Sequence, residues 1–384
     1  MKINYIAQYN GKPEMGVTKK LISQIEQINK NEGVEAKLIF LSRRKDNRIK
    51  SKYVQFYSFP GPPYTSFLDK LRSYLFLVKY ITRLMKQFED DEIIYFRNYF
   101  PTWGFLRALK KNKRKNIFID IVSNNVEEAK IRKSNLAYRY SLAIFGSQIA
   151  NSSKGIISVT REIIQLNFPK LKKTIPTLVI GNGFDTETVP VCPNKSFDNS
   201  NTINFICVAH VSVWHGLDRF IYGMANYCNN YNKMIHLHLV GEGPNLGEIK
   251  KLVLKLDIKD KVTFHGFKSG EELDNLFNIS HIGVGNLGTF RKGIKYTSPL
   301  KSREYCSRGI PFFYTCTDED FINFPFAYNV PPNDTPINIE EILMFYNRVS
   351  TVKNFNYKMR EYALINLTWN AKMMKLIDFM KSNV

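Results

Sequence analysis

Short apolar runs alternate with longer stretches of helical periodicity along the first half of the chain. The runs predict seven strands, at residues 2–9, 36–41, 53–58, 93–97, 117–122, 155–159 and 177–180. Helix-length segments separate most of them, and strands spaced by helices favour a parallel sheet that is covered on both faces. A glycine-containing loop after the first strand leads into a helix predicted over 17–31. This order is typical of doubly wound folds, although the loop lacks the GxGxxG pattern.

The second half repeats the alternation more regularly. Strands are predicted at 203–211, 235–240, 262–267, 282–284 and 312–314, and helices at 217–229, 246–256 and 270–279. Polar clusters follow these strands: VSVWHG, GEGP, HGF and GNLGTFRKG. Ligands of doubly wound sheets bind beyond the carboxyl ends of the strands, so we expect these four loops to border one crevice.

The stretch at 296–311, YTSPLKSREYCSRGIP, predicts a helix whose start suits an anion. Ser298 is a candidate cap and Pro299 fits the first helical position, so the free amides of the first turn, from Leu300 on, face outward. Lys301 adds a cation in that turn. Glu304, an acceptor when ionised, suits a pair of sugar hydroxyls. The alternative is an ordinary amphipathic helix whose Lys301 and Glu304 are solvated.

A polar stretch with two prolines, 186–202, predicts a linker, and we place the domain boundary near 190. The predicted organisation is a first domain over 1–190, a second domain over 191–367 and a final helix over 368–384. A chain of 384 residues is long enough for two domains that each bury a core.

Positive charge is concentrated in the first half. Lys and Arg outnumber Asp and Glu by 55 to 34, and residues 1–190 hold 33 basic and 16 acidic residues, net +17. Nucleic acid and an anionic membrane surface both fit this charge. The segment 64–88 has the pattern of a basic amphipathic helix, which can lie in a membrane interface or simply pack on the sheet. No nucleic-acid-reading motif surrounds the basic run 110–115, so we predict no nucleic-acid partner.

Cysteine usage and apolar content bear on the compartment. The five cysteines form no CxxC pair and are odd in number, which argues against a disulfide framework and fits a reducing compartment. The start of the chain lacks the long apolar region of a signal peptide, and no apolar run approaches the ~20 residues of a spanning helix. We expect a cytoplasmic protein, or one on the cytoplasmic face of a membrane.

The order NGFD, WHGLDRFI, HLVGEGP, VTFHGF and SPLKSREYCSRGIPFF resembles the retaining GT-B glycosyltransferases of bacterial capsular and exopolysaccharide assembly, glycosyl transferases group 1. The resemblance covers nearly the whole chain and implies an α/β fold of two Rossmann-like domains facing an interdomain cleft. It also implies a nucleotide sugar held mainly by the second domain, an acceptor held by the first, and a final helix that crosses back to the first.

The resemblance also implies roles for particular residues. Glu304 is similar to the glutamate that holds the donor ribose, and the amides around Ser298 and Leu300 are similar to the diphosphate-binding turn. Gly16 occupies the place of the glycine loop near the donor diphosphate, and Gly266 and Phe267 lie where backbone groups contact the base.

The chain departs from the family pattern at three places. Relatives commonly have Arg and Lys where this chain has His210 and His215, so diphosphate neutralisation is expected to shift to Lys301, Arg291 or Lys292. Tyr296 stands where relatives often carry a second glutamate.

The expected chemistry passes through an oxocarbenium-like transition state, stabilised by positive groups on the diphosphate in a dry crevice. Cations and helix amides can do this work, so we predict no metal and no other cofactor, and His236 and His238 are interpreted as structural. Lys301 and Glu304 are the candidate catalytic residues on the donor side. Asp120, Glu127 and Glu128 are the candidate acids beyond a strand of the first domain, although in a retaining mechanism the leaving phosphate itself can take the proton.

The sequence therefore predicts transfer of a sugar from a nucleotide donor to a lipid-linked or growing saccharide at the inner membrane face. Two alternatives remain open. A nucleotide-sugar epimerase with the same architecture would need a set of acids and bases around the sugar. A non-catalytic protein that binds an anionic surface or nucleic acid would explain the charge of the first half but not the loops of the second.

Overall fold

The computed structural model describes residues 1–9, 11, 13, 16–42, 45–58, 67–131, 136–198, 201–231 and 233–384, except for the side chains of 67–75 and 131. These residues form two compact units. One comprises Met1–Gly181 together with Trp369–Val384, and the other is Asn182–Thr368.

The first unit is built on a parallel sheet of seven strands. The strands are β1 Lys2–Gln8, β2 Glu35–Ser42, β3 Val54–Ser58, β4 Ile93–Arg97, β5 Asn116–Ile121, β6 Gly155–Ser158 and β7 Thr177–Val179. Most of β1, β4, β5 and β6 is buried on both faces, which is why these strands appear as continuous apolar runs in the sequence. The seven predicted strands are therefore confirmed to within two residues at each end.

In the described residues of the first unit, seven helices cover this sheet. They are α1 Gly16–Ile28, α2 Phe67–Met85, α3 Trp103–Lys111, α4 Asn125–Ile131, α5 Leu136–Ala150, α6 Arg161–Asn167 and α13 Trp369–Lys381. Helix α1 packs against α13, so the end of the chain belongs to the first unit. The first three residues of the predicted helix 64–88 lie outside the described residues.

The second unit is a parallel sheet of six strands. The strands are β8 Thr202–Val208, β9 Met234–Val240, β10 Val262–Gly266, β11 Ile282–Val284, β12 Phe312–Thr315 and β13 Ala327–Val330. The helices are α7 Leu217–Asn230, α8 Leu246–Lys255, α9 Glu271–Ile279, α10 Leu300–Arg308, α11 Ile339–Ser350 and α12 Phe355–Asn366. Strand β13 was not predicted, because its four residues are only partly buried and carry no apolar run.

In both sheets the order of the strands reverses beside the first strand of the unit. The strand orders are β3-β2-β1-β4-β5-β6-β7 and β10-β9-β8-β11-β12-β13. The reversals lie between β1 and β4 and between β8 and β11, and such a switch point is where doubly wound sheets open a crevice for ligands.

The boundary between the units lies after Gly181, not near 190 as the composition predicts. The residues that follow are bound to the second unit by backbone hydrogen bonds. The Phe184 N–H donates to the carbonyl of Leu367 over 2.7 Å, and the Cys192 N–H donates to the carbonyl of Arg308 over 2.8 Å. The polar residues after Gly181 are therefore part of the second unit and not a linker between the units, and we call residues 182–192 the strap.

Candidate functional site

Two loops of the second unit meet at the switch point between β8 and β11. The Leu287 N–H donates to the carbonyl of His215 over 2.9 Å. Gly216 has a φ of 62°, and a Cβ there would lie 2.5 Å from the backbone nitrogen of Gly288. Only glycine combines this left-handed backbone with so close an approach. Gly216 therefore fixes the loop after β8 against the loop after β11.

The loops after β9 and β10 join the same edge of the sheet. The Val211 N–H donates to the carbonyl of Glu242 over 2.8 Å, and the Gly241 N–H donates to the carbonyl of Gly266 over 2.6 Å. Gly266 ends β10 with a φ of 65°, and the ring of Phe267 beside it is half exposed. The predicted convergence of four polar loops is confirmed.

Helix α10 begins at this edge with an unusual start. Pro299 is the N-cap, and none of the side chains that the structure describes caps the first turn. Ser298 lies one position outside, where its Oγ accepts the N–H of Asn182 over 2.7 Å. The prediction that Ser298 caps the helix is therefore wrong. Because Leu300 is the first helical residue, the amides of 300–302 have no partner within the helix and are available to an anion.

Positively charged side chains gather at this helix start. Burial lowers the pKa of His215 well below its usual range, and the charges of Lys301 and Lys292, together with His210, lower it further. Lys301 is half-buried, and its Nζ lies 3.8 Å from Sγ of Cys207. Among the described residues no carboxylate pairs with it. We call Lys292 and Lys301 the cation cluster, and His210 and His215 lie beside it.

The backbone fixes the tautomer of His215. Its Nδ1 accepts the N–H of Ser212 over 3.0 Å, so the proton of the neutral ring lies on Nε2. His215 therefore offers one neutral donor between two lysines. His210 is exposed, and Nζ of Lys292 lies 4.3 Å from the ring centroid of Trp214.

Glu304 lies one turn along α10 from Lys301, on the same face of the helix. Its side chain is 17% exposed, and its Oε1 accepts Nε–H of Arg308 over 3.0 Å. Arg308 is itself held by Asp274 over 2.7 Å and lies over the ring of Phe277. A carboxylate has about four lone-pair sites, so Glu304 keeps capacity for hydroxyl donors after binding Arg308.

The guanidinium of Arg291 is fully engaged by groups of the second unit. Its guanidinium donates to both carboxylate oxygens of Asp218, over 2.9 and 2.7 Å, to Oδ1 of Asp334 over 2.8 and 2.7 Å, and to the carbonyl of Val213 over 2.9 Å. These bonds engage all of its five donors. The hydrogen bonds to Asp218 raise the pKa of Arg291. In this structure Arg291 therefore holds two loops together, which differs from the predicted diphosphate contact.

Three buried polar atoms around the switch point have no hydrogen-bond partner among the described residues. They are Oδ1 of Asn286, Oγ1 of Thr289 and Oγ of Ser302. An unsatisfied buried polar group costs about 1–3 kcal/mol, so each of these atoms lowers the stability of the structure as it stands. Asn286 and Thr289 follow β11, and Ser302 lies in the first turn of α10.

The candidate residues of the first unit differ in their surroundings. Gly16 is exposed and begins α1 after β1, although four residues of the preceding loop lie outside the described residues. Asp120 lies within β5 rather than beyond it, and its carboxylate accepts Nη1–H of Arg97 over 3.0 Å and the hydroxyl of Tyr5 over 3.2 Å. Glu127 lies in the first turn of α4 and pairs with Lys130 over 2.8 Å. Neither carboxylate is an unpaired base.

The two alternating histidines of β9 have partners on β10. His236 Nε2 and Thr263 Oγ1 are 2.8 Å apart, and His238 Nδ1 lies 3.1 Å from His265 Nε2. Burial lowers the pKa of His238 to about 4. Within the described parts of the chain no group of three or more His, Cys, Asp or Glu side chains is arranged to hold a metal ion.

Sequence reasoning missed the buried arginine of α10. Arg303 is fully buried, bonds to Asp318 and Asp320, and donates Nε–H to the carbonyl of Asn182 over 3.1 Å. It therefore ties the strap, the helix and the loop after β12 together. The acidic run at 318–320 is the one sequence signal of this pairing, but its spacing gives no partner.

The sequence and the fold were compared with known proteins. Residues 192–286 match the family model "Glycosyl transferases group 1". No curated protein matches the chain significantly. The matched segment includes the loops after β8, β9 and β10 and ends just after β11. It therefore covers most of the loops at the carboxyl edge of the second sheet, but not α10.

Solved structures match the chain over nearly its full length. A sucrose-phosphate synthase from Thermosynechococcus elongatus is 15% identical with a TM-score of 0.71, covering 99% of this chain and 98% of the other. The HepE protein of Anabaena, in complex with UDP and glucose, is 14% identical with a TM-score of 0.68 and complete coverage of both chains. The apo lipopolysaccharide outer core galactosyltransferase WaaB is 16% identical with a TM-score of 0.67, covering 99% of this chain and 100% of the other.

At these identities the structural matches show the fold alone. The predicted fold class, two parallel-sheet Rossmann-like domains, is confirmed as the GT-B fold. The chain thus carries a glycosyl transferases group 1 segment, residues 192–286, within a GT-B fold.

Proposed function

We propose that this protein is a glycosyltransferase that moves a sugar from a nucleoside-diphosphate sugar to a saccharide acceptor. The observation that carries the proposal is the cation cluster at the uncapped start of α10, with Glu304 one turn further along the same helix face. The glycosyl transferases group 1 match and the fold shared with HepE, solved with UDP and glucose, support it.

Each part of the donor has a proposed partner. The diphosphate lies at the amides of 300–302, where Lys301 and Lys292 neutralise its charge and the Nε2–H of His215 donates a hydrogen bond. Glu304 accepts the two ribose hydroxyls. Gly266 and Phe267 flank the base.

The proposed reaction breaks the bond between the anomeric carbon and the diphosphate oxygen and forms one between that carbon and an acceptor hydroxyl oxygen, whose proton is lost. Negative charge then develops on the leaving diphosphate, where the cation cluster and the helix amides stabilise it without reorganising. A metal ion is not part of the proposal, since these groups supply the neutralisation. Chelation with EDTA is therefore expected to leave the rate of transfer unchanged.

Retention of the anomeric configuration is also part of the proposal. Asp120 is paired with Arg97, and Glu127 with Lys130, so neither of these two acids is poised as a base. The leaving diphosphate is then the natural acceptor of the proton, which requires attack from the face it leaves. Proton NMR of the new glycosidic bond in the product should show the donor's anomeric configuration.

We propose a lipid-linked or growing saccharide as the acceptor, at the cytoplasmic face of the membrane in cell-surface polysaccharide synthesis such as capsule assembly. The excess of basic residues over 1–190, net +17, supports an anionic surface near the first unit. No helix within the described residues combines the length and apolar character needed to cross a bilayer. Because sucrose-phosphate synthase shares the fold, sugar phosphates belong among the acceptors tested.

A nucleotide screen followed by a transfer assay tests the proposal. A nucleoside diphosphate at 100 times its dissociation constant should stabilise the protein by about 2.7 kcal/mol. Glu304→Ala should lose most of this shift, whereas the matched control Glu248→Ala, an exposed glutamate of α8, should keep it. Incubation of the donor without acceptor also separates transfer or hydrolysis from epimerisation. The proposal fails if no common nucleotide sugar is hydrolysed or transferred and Glu304→Ala binds nucleotide as well as the parent.

A further inference from the structure

Helix α5 of the first unit exposes an apolar stripe that the core does not use. One side of the helix buries Leu142 and Ile149 in the core. The opposite side carries Leu136, Tyr140 and Ile144, spaced by four residues and 62%, 65% and 55% exposed. Side chains four apart lie on one face of a helix, so these three form a continuous ridge. A helix that is apolar on both sides is expected to be covered on both sides.

Helix α3 continues this surface and adds positive charge. It packs against α5. Trp103 at its start is 60% exposed, with the guanidinium of Arg107 lying 5.1 Å from its ring centroid. Lys110 and Lys111, one turn further, are exposed as well. The helix therefore presents an aromatic ring framed by three cations.

Helix α2 lies on the other side of α3. The two are in close contact, since a Cβ on Gly104 would lie 3.1 Å from Cγ1 of Val78. Phe76, Lys79 and Arg83 are exposed along α2. We call the exposed side chains of α2, α3 and α5 the outward face.

The charge of the outward face has one sign. The sequences of α3 and α5 contain no Asp or Glu, and the single acid of α2, Asp69, lies in the part whose side chains the structure does not describe. Protein interfaces are depleted in lysine at their centre, and nucleic-acid phosphates make no use of an exposed Leu and Ile ridge. Aromatic rings between aliphatic side chains and cations fit the interface of an anionic bilayer, where rings lie at the headgroup level and cations meet lipid phosphates.

We propose that the outward face is the surface by which this protein lies on a bilayer of anionic phospholipid. The apolar ridge of α5 and the Trp103 ring enter the headgroup region, while the cations of α2 and α3 bind lipid phosphates. This inference rests on the proposed function only for its purpose, which is access to a lipid-linked acceptor. The binding itself follows from the surface.

Vesicle flotation with the full chain tests the surface. Parent protein should float with vesicles of equal parts phosphatidylglycerol and phosphatidylcholine, and not with phosphatidylcholine alone. Tyr140→Ser with Ile144→Ser should weaken binding at least tenfold. Lys110→Glu with Lys111→Glu should weaken it more than tenfold, because each cation near an anionic surface contributes about fivefold, the factor that corresponds to ~1 kcal/mol. Salt at 1 M, with a Debye length of about 3 Å, should release the parent.

Matched controls come from exposed positions of the second unit. Leu254→Ser and the pair Lys251→Glu with Lys255→Glu change equally exposed residues of α8 and should leave flotation unchanged. The thermal shift that a nucleoside diphosphate induces should be the same in parent and outward-face variants. That readout also checks folding, and it separates failure of the docking surface from failure of the proposed function.

Three results would overturn the inference. The first is equal flotation of parent and outward-face variants. The second is a parent that forms dimers in light scattering while Tyr140→Ser with Ile144→Ser is a monomer, which would assign the ridge to self-association. The third is competition of RNA or DNA for the parent at equal phosphate concentration, which would assign the cations to nucleic acid.

Discussion

Replacing Lys301 by methionine should weaken nucleotide binding without weakening the fold. The ammonium is half-buried, 3.8 Å from Sγ of Cys207, and has no carboxylate partner among the described residues. Burial lowers its pKa, which means that the folded state disfavours the charged form. Methionine removes that cost and keeps the length of the side chain, so the free energy of unfolding should stay the same or rise.

The loss of affinity can be estimated from the contact that Lys301 is proposed to make. A hydrogen bond to a charged group contributes about 1.5–3 kcal/mol, which corresponds to roughly a tenfold to 150-fold increase in the dissociation constant of a nucleoside diphosphate. Calorimetric titration measures the affinity, and urea unfolding of the free protein measures the stability. Lys255→Met, at the exposed end of α8, is the control for removing one positive charge.

The two readouts separate a ligand-binding lysine from a structural one. Lower affinity with equal or higher stability supports the assignment. Lower stability with unchanged affinity would show that Lys301 supports the fold through its buried stem, and would refute the proposed role.

Three further predictions concern the stability of the second unit. Gly216→Ala should destabilise the protein by about 1–3 kcal/mol and weaken nucleotide binding, because it strains a left-handed backbone against Gly288, whereas Gly247→Ala in open space should do neither; urea unfolding compares them. Arg303→Met should lower the free energy of unfolding by about 3–5 kcal/mol in the same assay, because it leaves the buried carboxylate of Asp318 without its charged partner. A loss under 1 kcal/mol would contradict this. Burial lowers the pKa of His281 from 6.5 to about 4, so the unfolded chain binds this proton at a higher pH than the folded chain, and the free energy of unfolding should fall by about 1.4 kcal/mol per pH unit as pH drops through that window. His281→Asn should flatten this slope in unfolding measured across pH, and an unchanged slope would assign the proton to another group.

The sheet architecture was visible in the sequence because its physical cause is local. A strand buried on both faces must be apolar at nearly every position, as in β4 and β5, and the helices between such strands force a parallel arrangement. The polar loops at the carboxyl ends of the second sheet were visible for a similar reason. Glycine is needed where one loop approaches another closely, as at Gly216, or where the backbone is left-handed, as at Gly266.

Two of the differences, at Arg291 and Asp120, have another cause, which is pairing between residues distant in sequence. Arg291 looked like a phosphate ligand because Asp218 and Asp334, which engage it, are 73 and 43 residues away. Asp120, a candidate acid in the sequence, is paired in the structure with Arg97 and Tyr5. Ser298 missed the cap by one position, because Pro299 takes an extended backbone there and begins the helix later than its composition suggests.

The central claim is that Glu304 holds the donor ribose while the start of α10 holds the diphosphate. The most direct test measures binding of the preferred nucleoside diphosphate and its 2′,3′-dideoxy analogue to the parent, Glu304→Gln and the exposed control Glu248→Gln. The parent and the control should favour the ribose form by at least about tenfold, the worth of one charge-assisted hydrogen bond, and Glu304→Gln should bind both forms within about twofold. Equal preference for the ribose form in all three proteins would contradict the claim.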